Sequence, residues 1–134
     1  MISRPLMTAN VYSCKGNIVI AGACLGDVYP EALEKLTEGK DQLFTLCLED
    51  SHINMAVTKI SAILGTGLVD SIVFASVDRS PHCTQMHYIK HEMERTMPVH
   101  VPIESAVVVA GEIVPVTDEA IDMSKSLAKL SRGR

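Results

Sequence analysis

Hydrophobic and polar positions along this chain fall into blocks whose period switches between strand-like and helix-like. Asn17–Gly22 (NIVIAG) is a short run rich in β-branched residues, which predicts a buried strand. A turn follows at Ala23-Cys24-Leu25-Gly26-Asp27. Pro30 then suits the first position of a helix, because it lacks the N–H that would go unsatisfied there. Leu33 and Leu36 form that helix's apolar stripe, and Gly39 is its predicted stop. Gln42–Leu48 reads as a second strand. Asp50 and Ser51 are placed to cap a helix whose Ile53, Ala56, Val57, Ile60, Ile63 and Leu64 share one face, ending at Gly65 and Gly67. Ser71–Val77 is the third strand, with Ser80 as N-cap and Pro81 as first residue of a helix running to about Met97, where Pro98 stops it. A fourth strand is expected from near Val99. Ala106–Val109 and Glu112–Val116 flank Ala110-Gly111 in the manner of a hairpin, and Pro115 assigns the second arm to a sheet edge. Thr117 is the predicted cap of a last helix with Ala120, Ile121, Ser124, Leu127 and Ala128 on one face. Residues 1–16, broken by Pro5, Asn10 and Gly16, read as an irregular or edge segment.

Strands alternating with helices predict one three-layer α/β domain over residues 1–134. Its mainly parallel sheet would have about four to five strands, helices on both faces and a C-terminal β-hairpin. The short buried strands fit a doubly wound sheet, with a flavodoxin-like order among the arrangements open to it.

Composition narrows the partners. A chain of 134 residues buries about two-thirds of its unfolded surface, so neither disulfides nor a metal is needed to hold it together. Apolar residues make up 47% and charged residues 21%, which is globular and not disordered. The net charge of −4 weighs against a nucleic-acid binder. The basic group Lys125, Lys129, Arg132 and Arg134 ends a predicted helix, where the dipole favours cations without any nucleic acid. No apolar run approaches the ~20 residues that span a bilayer, and the first residues lack a signal peptide's apolar core. The expectation is a cytoplasmic protein with no membrane partner and four reduced cysteines.

In open α/β sheets ligands bind beyond the carboxyl ends of the strands, at a switch in strand order. That rule selects three loops: Gly22–Asp27, Glu49–His52 and Asp78–Cys83. Together they hold two cysteines, two histidines and several carboxylates. With Ser80 as N-cap, Cys83 falls at the third helical position, where free N–H groups and the positive dipole end favour a thiolate. Cys24, His82 and Cys83 are the candidate metal ligands, for zinc or an iron–sulfur cluster. Cys83 as nucleophile with His52 as base is the candidate catalytic pair; His82 is the poorer partner because helix neighbours point about 100° apart. His87 and His91 follow Cys83 along one stripe, and read either as further ligands or as solvated or core-edge hydrogen-bonders. Cys47, between Leu46 and Leu48, reads as core. Cys14 lies in the irregular segment with no assigned role.

A second reading uses other atoms of the same loops. Gly22 and Gly26 would let a ligand approach the first turn, and helix starts at Ser51 and Ser80 would offer N–H groups to a nucleotide or other small anion. Gly22-x-x-x-Gly26 is neither a dinucleotide fingerprint nor a phosphate-binding loop with Gly-Lys-Ser/Thr. Asp27, Asp50 and Asp78 would repel phosphate unless a cation joined them. A third reading is a non-catalytic subunit that interacts through its surface, with homo-oligomerisation through the hairpin edge at Ala106–Val116.

The stretch Cys24-Leu25-Gly26-Asp27-Val28-Tyr29-Pro30-Glu31, continuing to Leu36 and Gly39-Lys40-Asp41, resembles the delta subunit of methyl-viologen-reducing hydrogenases. That family has a Cys-x-Gly-x-Val-x-Pro-Glu stretch followed by Gly-x-Asp and a strand. Its Cys-His-Tyr element is loosely similar to Cys83–Tyr88. The resemblance covers about a quarter of the chain. It implies an auxiliary redox role, iron–sulfur association, a redox protein partner, and a part for Cys24 and Cys83.

Overall fold

The computed structural model describes residues 1–133. Among them a six-stranded sheet runs in the order β1-β3-β2-β4-β5-β6. The strands are β1 (Ser3–Pro5), β2 (Gly16–Gly22), β3 (Gln42–Leu46), β4 (Val69–Val77), β5 (Ile103–Val109) and β6 (Glu112–Val116). The first five are parallel and β6 is antiparallel. From β2 onward this is the flavodoxin-like order. The chain steps from β2 outward to β3, then returns past β2 to lay down β4, β5 and β6. The switch point therefore lies between β2 and β4.

Period-2 alternation in the strands builds two separate cores. Ile18, Ile20, Phe44, Leu46, Ile72 and Phe74 face one side. There they meet Ile60 and Ile63 of α3 (Ile53–Gly65), Met86 of α4 (Pro81–Met86), and Ile89 and Met93 of α5 (Tyr88–Thr96). Val19, Ala21, Leu43, Val73, Ala75 and Val108 face the other side, with Leu25 of α1 (Leu25–Val28) and Ala32 of α2 (Pro30–Thr37). Each large side chain so buried stabilises the fold by roughly 1.5–3 kcal/mol. The C-terminal helices α6 (Asp118–Ser124) and α7 (Leu127–Arg132) follow β6. Lys90 ties α5 to α6 through Asp118 at 3.0 Å.

Several expectations need correction. The sheet has more strands than expected, because Ser3–Pro5, within the segment read as irregular or edge, pairs with β3 as an edge strand, where Pro5 is tolerated. The turn after β2 winds into α1. The strand expected from Val99 begins at Ile103, since Pro98 and Pro102 bracket the intervening residues and neither can donate to a ladder. Ser51 is not a helix cap. The Cys47 carbonyl accepts the N–H groups of Asp50 and Ser51 at 3.2 and 3.0 Å, so the chain is still turning there, and α3 starts at Ile53 with His52 as N-cap. The long helix expected from Pro81 breaks at His87 into α4 and α5.

The local signals at the C-terminal end hold. Ala110 (φ 51) and Gly111 (φ 84) both occupy the left-handed region, the geometry of a tight hairpin turn between β5 and β6. Thr117 Oγ1 accepts the N–H of Ala120 at 3.1 Å and caps α6. No helix among the described residues is long and apolar enough to cross a membrane.

Candidate functional site

The carboxyl ends of β3, β2 and β4 lie side by side, and each leads into a loop with a cysteine at or near it. Gly22 at the end of β2 pairs with Leu46 at the end of β3, and the N–H of Ala23 extends the ladder to the Leu46 carbonyl at 3.1 Å. Cys24 and Cys47 thus follow closely on one paired rung. On the other side of β2, the loop after β4 turns through Arg79 in the left-handed region (φ 70) and enters α4 at Pro81. Cys83 is the third residue of α4, as expected. Its side chain points back across the switch point: a Cβ built on Gly22 would stand 2.8 Å from Cys83 Sγ and 3.8 Å from its Cβ. Gly22 is buried and is Gly because the thiol takes the space.

Cys24 is exposed at the start of α1. Its thiol is held above the ordinary 9.0, first by desolvation among the loops, then by the charges of Cys83, Cys47, Asp27 and Glu49. These groups come from three elements: Cys47 and Glu49 from the loop after β3, Cys83 from α4, and Asp27 from α1 itself. At neutral pH it is a protonated thiol in a negative setting, not an activated thiolate. Such a setting also disfavours phosphate.

Cys47 was expected in the core of a strand. The ladder ends at Leu46, so Cys47 lies one residue outside it, half-buried at the turn of the chain. The polar run Glu49-Asp50-Ser51 was the available sign that the strand stops early. Cys14, by contrast, is fully buried ahead of β2, at the opposite edge, where Sγ donates to the Asn10 carbonyl at 3.5 Å. Burial pushes its thiol up, with Lys59 and Arg4 pulling the other way.

The histidines do not join the thiols. His52 is exposed as N-cap of α3, and no hydrogen bond joins it to Cys83. The base–nucleophile hydrogen bond expected of a Cys83–His52 pair is absent among the described residues. His82 is exposed beside Cys83, and with the thiol turned onto Gly22 the imidazole, about 100° round the helix, faces elsewhere. Among the described residues no three of His, Cys, Asp or Glu stand close enough to hold a metal, so Cys24, His82 and Cys83 do not form a ligand set. His91 Nε2 lies 3.8 Å from Asp118. His87 is a core hydrogen-bonder: it is 3% exposed, with Nε2 2.7 Å from Ser76 Oγ and Nδ1 buried without a partner. Burial pushes it down to about 4. The Ser76–His87 bond ties the end of α4 to the end of β4, which fixes the helix that carries Cys83.

The residues of the anion reading have other roles. The space above Gly22 is filled by Cys83, and a Cβ on Gly26 would stand 3.3 Å from Leu33 Cδ2, so helix packing accounts for that glycine. Ser51 precedes α3 without capping it. Ser80 is the N-cap of α4 as expected, but its side chain makes no capping bond and the helix is only six residues long, which leaves little dipole. Clefts of about 540 Å³, between α5 and β5, and about 500 Å³, between α3 and α5, are lined by no cysteine.

No curated protein and no solved structure matches the chain. A family of Rossmann-like domains matches residues 13–132, from just ahead of β2 to the end of α7. Such a match spans the sheet from β2 through β6, and the chain belongs to the Rossmann-like domain family.

Proposed function

We propose that this chain is an auxiliary redox protein, working in the cytoplasm with a redox protein partner, whose active groups are the thiols at the switch point. The observation that carries this reading is the seat of Cys83 on Gly22, which brings its thiol to the β2 end from which Cys24 and, across one rung, Cys47 emerge. A structural cysteine needs no such placement, whereas a reactive thiol has to reach the functional edge of the sheet. The likeness of Cys24–Asp41 to the hydrogenase delta subunit supports a redox role.

The iron–sulfur cluster that this likeness implies fits the chain poorly. Four thiolates are the usual ligand set. Cys14 is buried ahead of β2, and no three candidate donors among the described residues are close enough to hold a metal. Zinc would meet the same shortage. What the edge offers is thiol chemistry, and its carboxylates Asp27 and Glu49 favour neutral or cationic reaction partners over anionic ones.

The test is anaerobic purification followed by an absorption spectrum, metal analysis and a count of reactive thiols, for the native chain and Cys83→Ala. The reading expects a colourless, metal-free protein in which Cys24 reacts with a disulfide reagent. Stoichiometric iron or zinc that disappears in Cys83→Ala would replace it with a metal site.

A further inference from the structure

Resting on that reading, we propose that Cys24 and Cys83 form a dithiol pair that exchanges with neutral or cationic disulfides, Cys24 attacking and Cys83 resolving. The division of labour follows from exposure. Cys24 is exposed on a loop, within reach of a substrate, whereas Cys83 is half-buried on α4. The pairing follows from Gly22. Cys83 Sγ sits where a Gly22 side chain would be. Cys24 is two residues further on, so its Cα lies within about 7 Å of the Gly22 Cα, and the loop that carries it must bring the Cys24 and Cys83 Cα atoms to the roughly 4.4–6.8 Å that a disulfide needs. Only the loop between β2 and α1 must adjust, because the Ser76–His87 bond holds α4 in place.

The exchange balances without any group from outside. Cys24 loses its proton to solvent, and the thiolate attacks one sulfur of the substrate disulfide. The substrate S–S bond breaks, and the first substrate thiolate leaves and takes up a proton. Cys83, deprotonated in turn, attacks the Cys24 sulfur of the mixed disulfide. The second substrate thiolate leaves and is protonated. Two electrons pass from the dithiol to the substrate, leaving a Cys24–Cys83 disulfide and two substrate thiols. Asp27 and Glu49 set the preference by charge: both act on Cys24 and would repel an anionic disulfide.

Cystamine, a dicationic disulfide, is the probe, with the anionic glutathione disulfide as comparison. The reduced full chain is mixed with each, quenched in acid, and examined by intact mass and peptide mapping. The expected product is a Cys24–Cys83 bridge, formed faster with cystamine, with the difference shrinking at high salt. Cys83→Ser should stop at the mixed disulfide on Cys24. Gly22→Ala keeps every thiol but displaces Cys83, and should slow the resolving step by about tenfold or more; circular dichroism checks that both variants fold. A Cys24–Cys47 bridge, or a mixed disulfide that persists in the native chain, would overturn the pair while leaving the thiol reading intact. Failure of Cys24 and Cys83 to react until the chain is denatured would overturn both.

Discussion

Cys83 Sγ occupies the space that a side chain on Gly22 would need, 2.8 Å from where its Cβ would stand. The contact joins the end of β2 to α4 across the switch point, and it makes a glycine at the sheet edge a packing requirement. Gly22→Ala should therefore destabilise the fold by about 1–3 kcal/mol through overpacking. Gly22→Ala combined with Cys83→Ala should recover most of that loss, because the second change removes the clashing atom. Urea denaturation of the two single variants and the double variant measures this coupling; simple additivity would show that the clash is not what costs stability.

His87 makes the fold sensitive to acid. Burial lowers it from 6.5 to about 4. Above 6.5 neither the folded nor the unfolded chain holds the proton, and the full stability is present. As pH falls from 6.5 towards 4 the unfolded chain takes up a proton that the folded chain refuses, so stability is lost over that window by up to about 3 kcal/mol. Denaturation midpoints at pH 7 and pH 4.5 should fall less in His87→Gln than in the native chain. An equal fall in both would assign the acid loss to other groups.

Ser76 should matter through the same imidazole. It is 1% exposed and provides the partner of His87 Nε2. Ser76→Ala leaves both ring nitrogens buried without partners, because Nδ1 already has none. The expected cost is about 1–3 kcal/mol, visible in thermal or urea melts. Proteolysis of the native variant should cut first between α4 and α5, where the helix is already broken.

Ala110 carries a left-handed backbone (φ 51) that a Cβ disfavours by roughly 1–2 kcal/mol. Ala110→Gly should stabilise the hairpin, and Ala110→Asn should do so with less loss of unfolded-state order. A rise in melting temperature by differential scanning calorimetry is the readout, and a fall would mean that Ala110 packs more than the turn requires.

Cys24 should react slowly with iodoacetamide at neutral pH, its rate still climbing above pH 9, because desolvation and then the neighbouring thiols and carboxylates oppose its thiolate. Cys47→Ser should lower the pH at which that climb begins. Measuring alkylation rates by peptide mass over a pH series decides it; a plateau near neutral pH would mean that the surroundings stabilise the thiolate after all.

The local chemistry of the chain determined the elements. The β-branched runs at Asn17–Gly22 and Ser71–Val77, the Ser80-Pro81 helix start, the Ala110-Gly111 turn and the Thr117 cap act over a few residues, so their outcome does not depend on the rest of the fold. The placing of Cys24 and Cys83 on one sheet edge was legible too, because successive parallel strands must all present their carboxyl ends together. Tertiary structure alone decided the rest. Strand order set β2 beside β4, which brought Cys83 onto Gly22. The end of the β3 ladder at Leu46 moved Cys47 from the core to the edge. Ser76 drew His87 inward at the break between α4 and α5. Each of these depends on how separate elements pack or pair, and local hydrophobic periodicity carries no term for that.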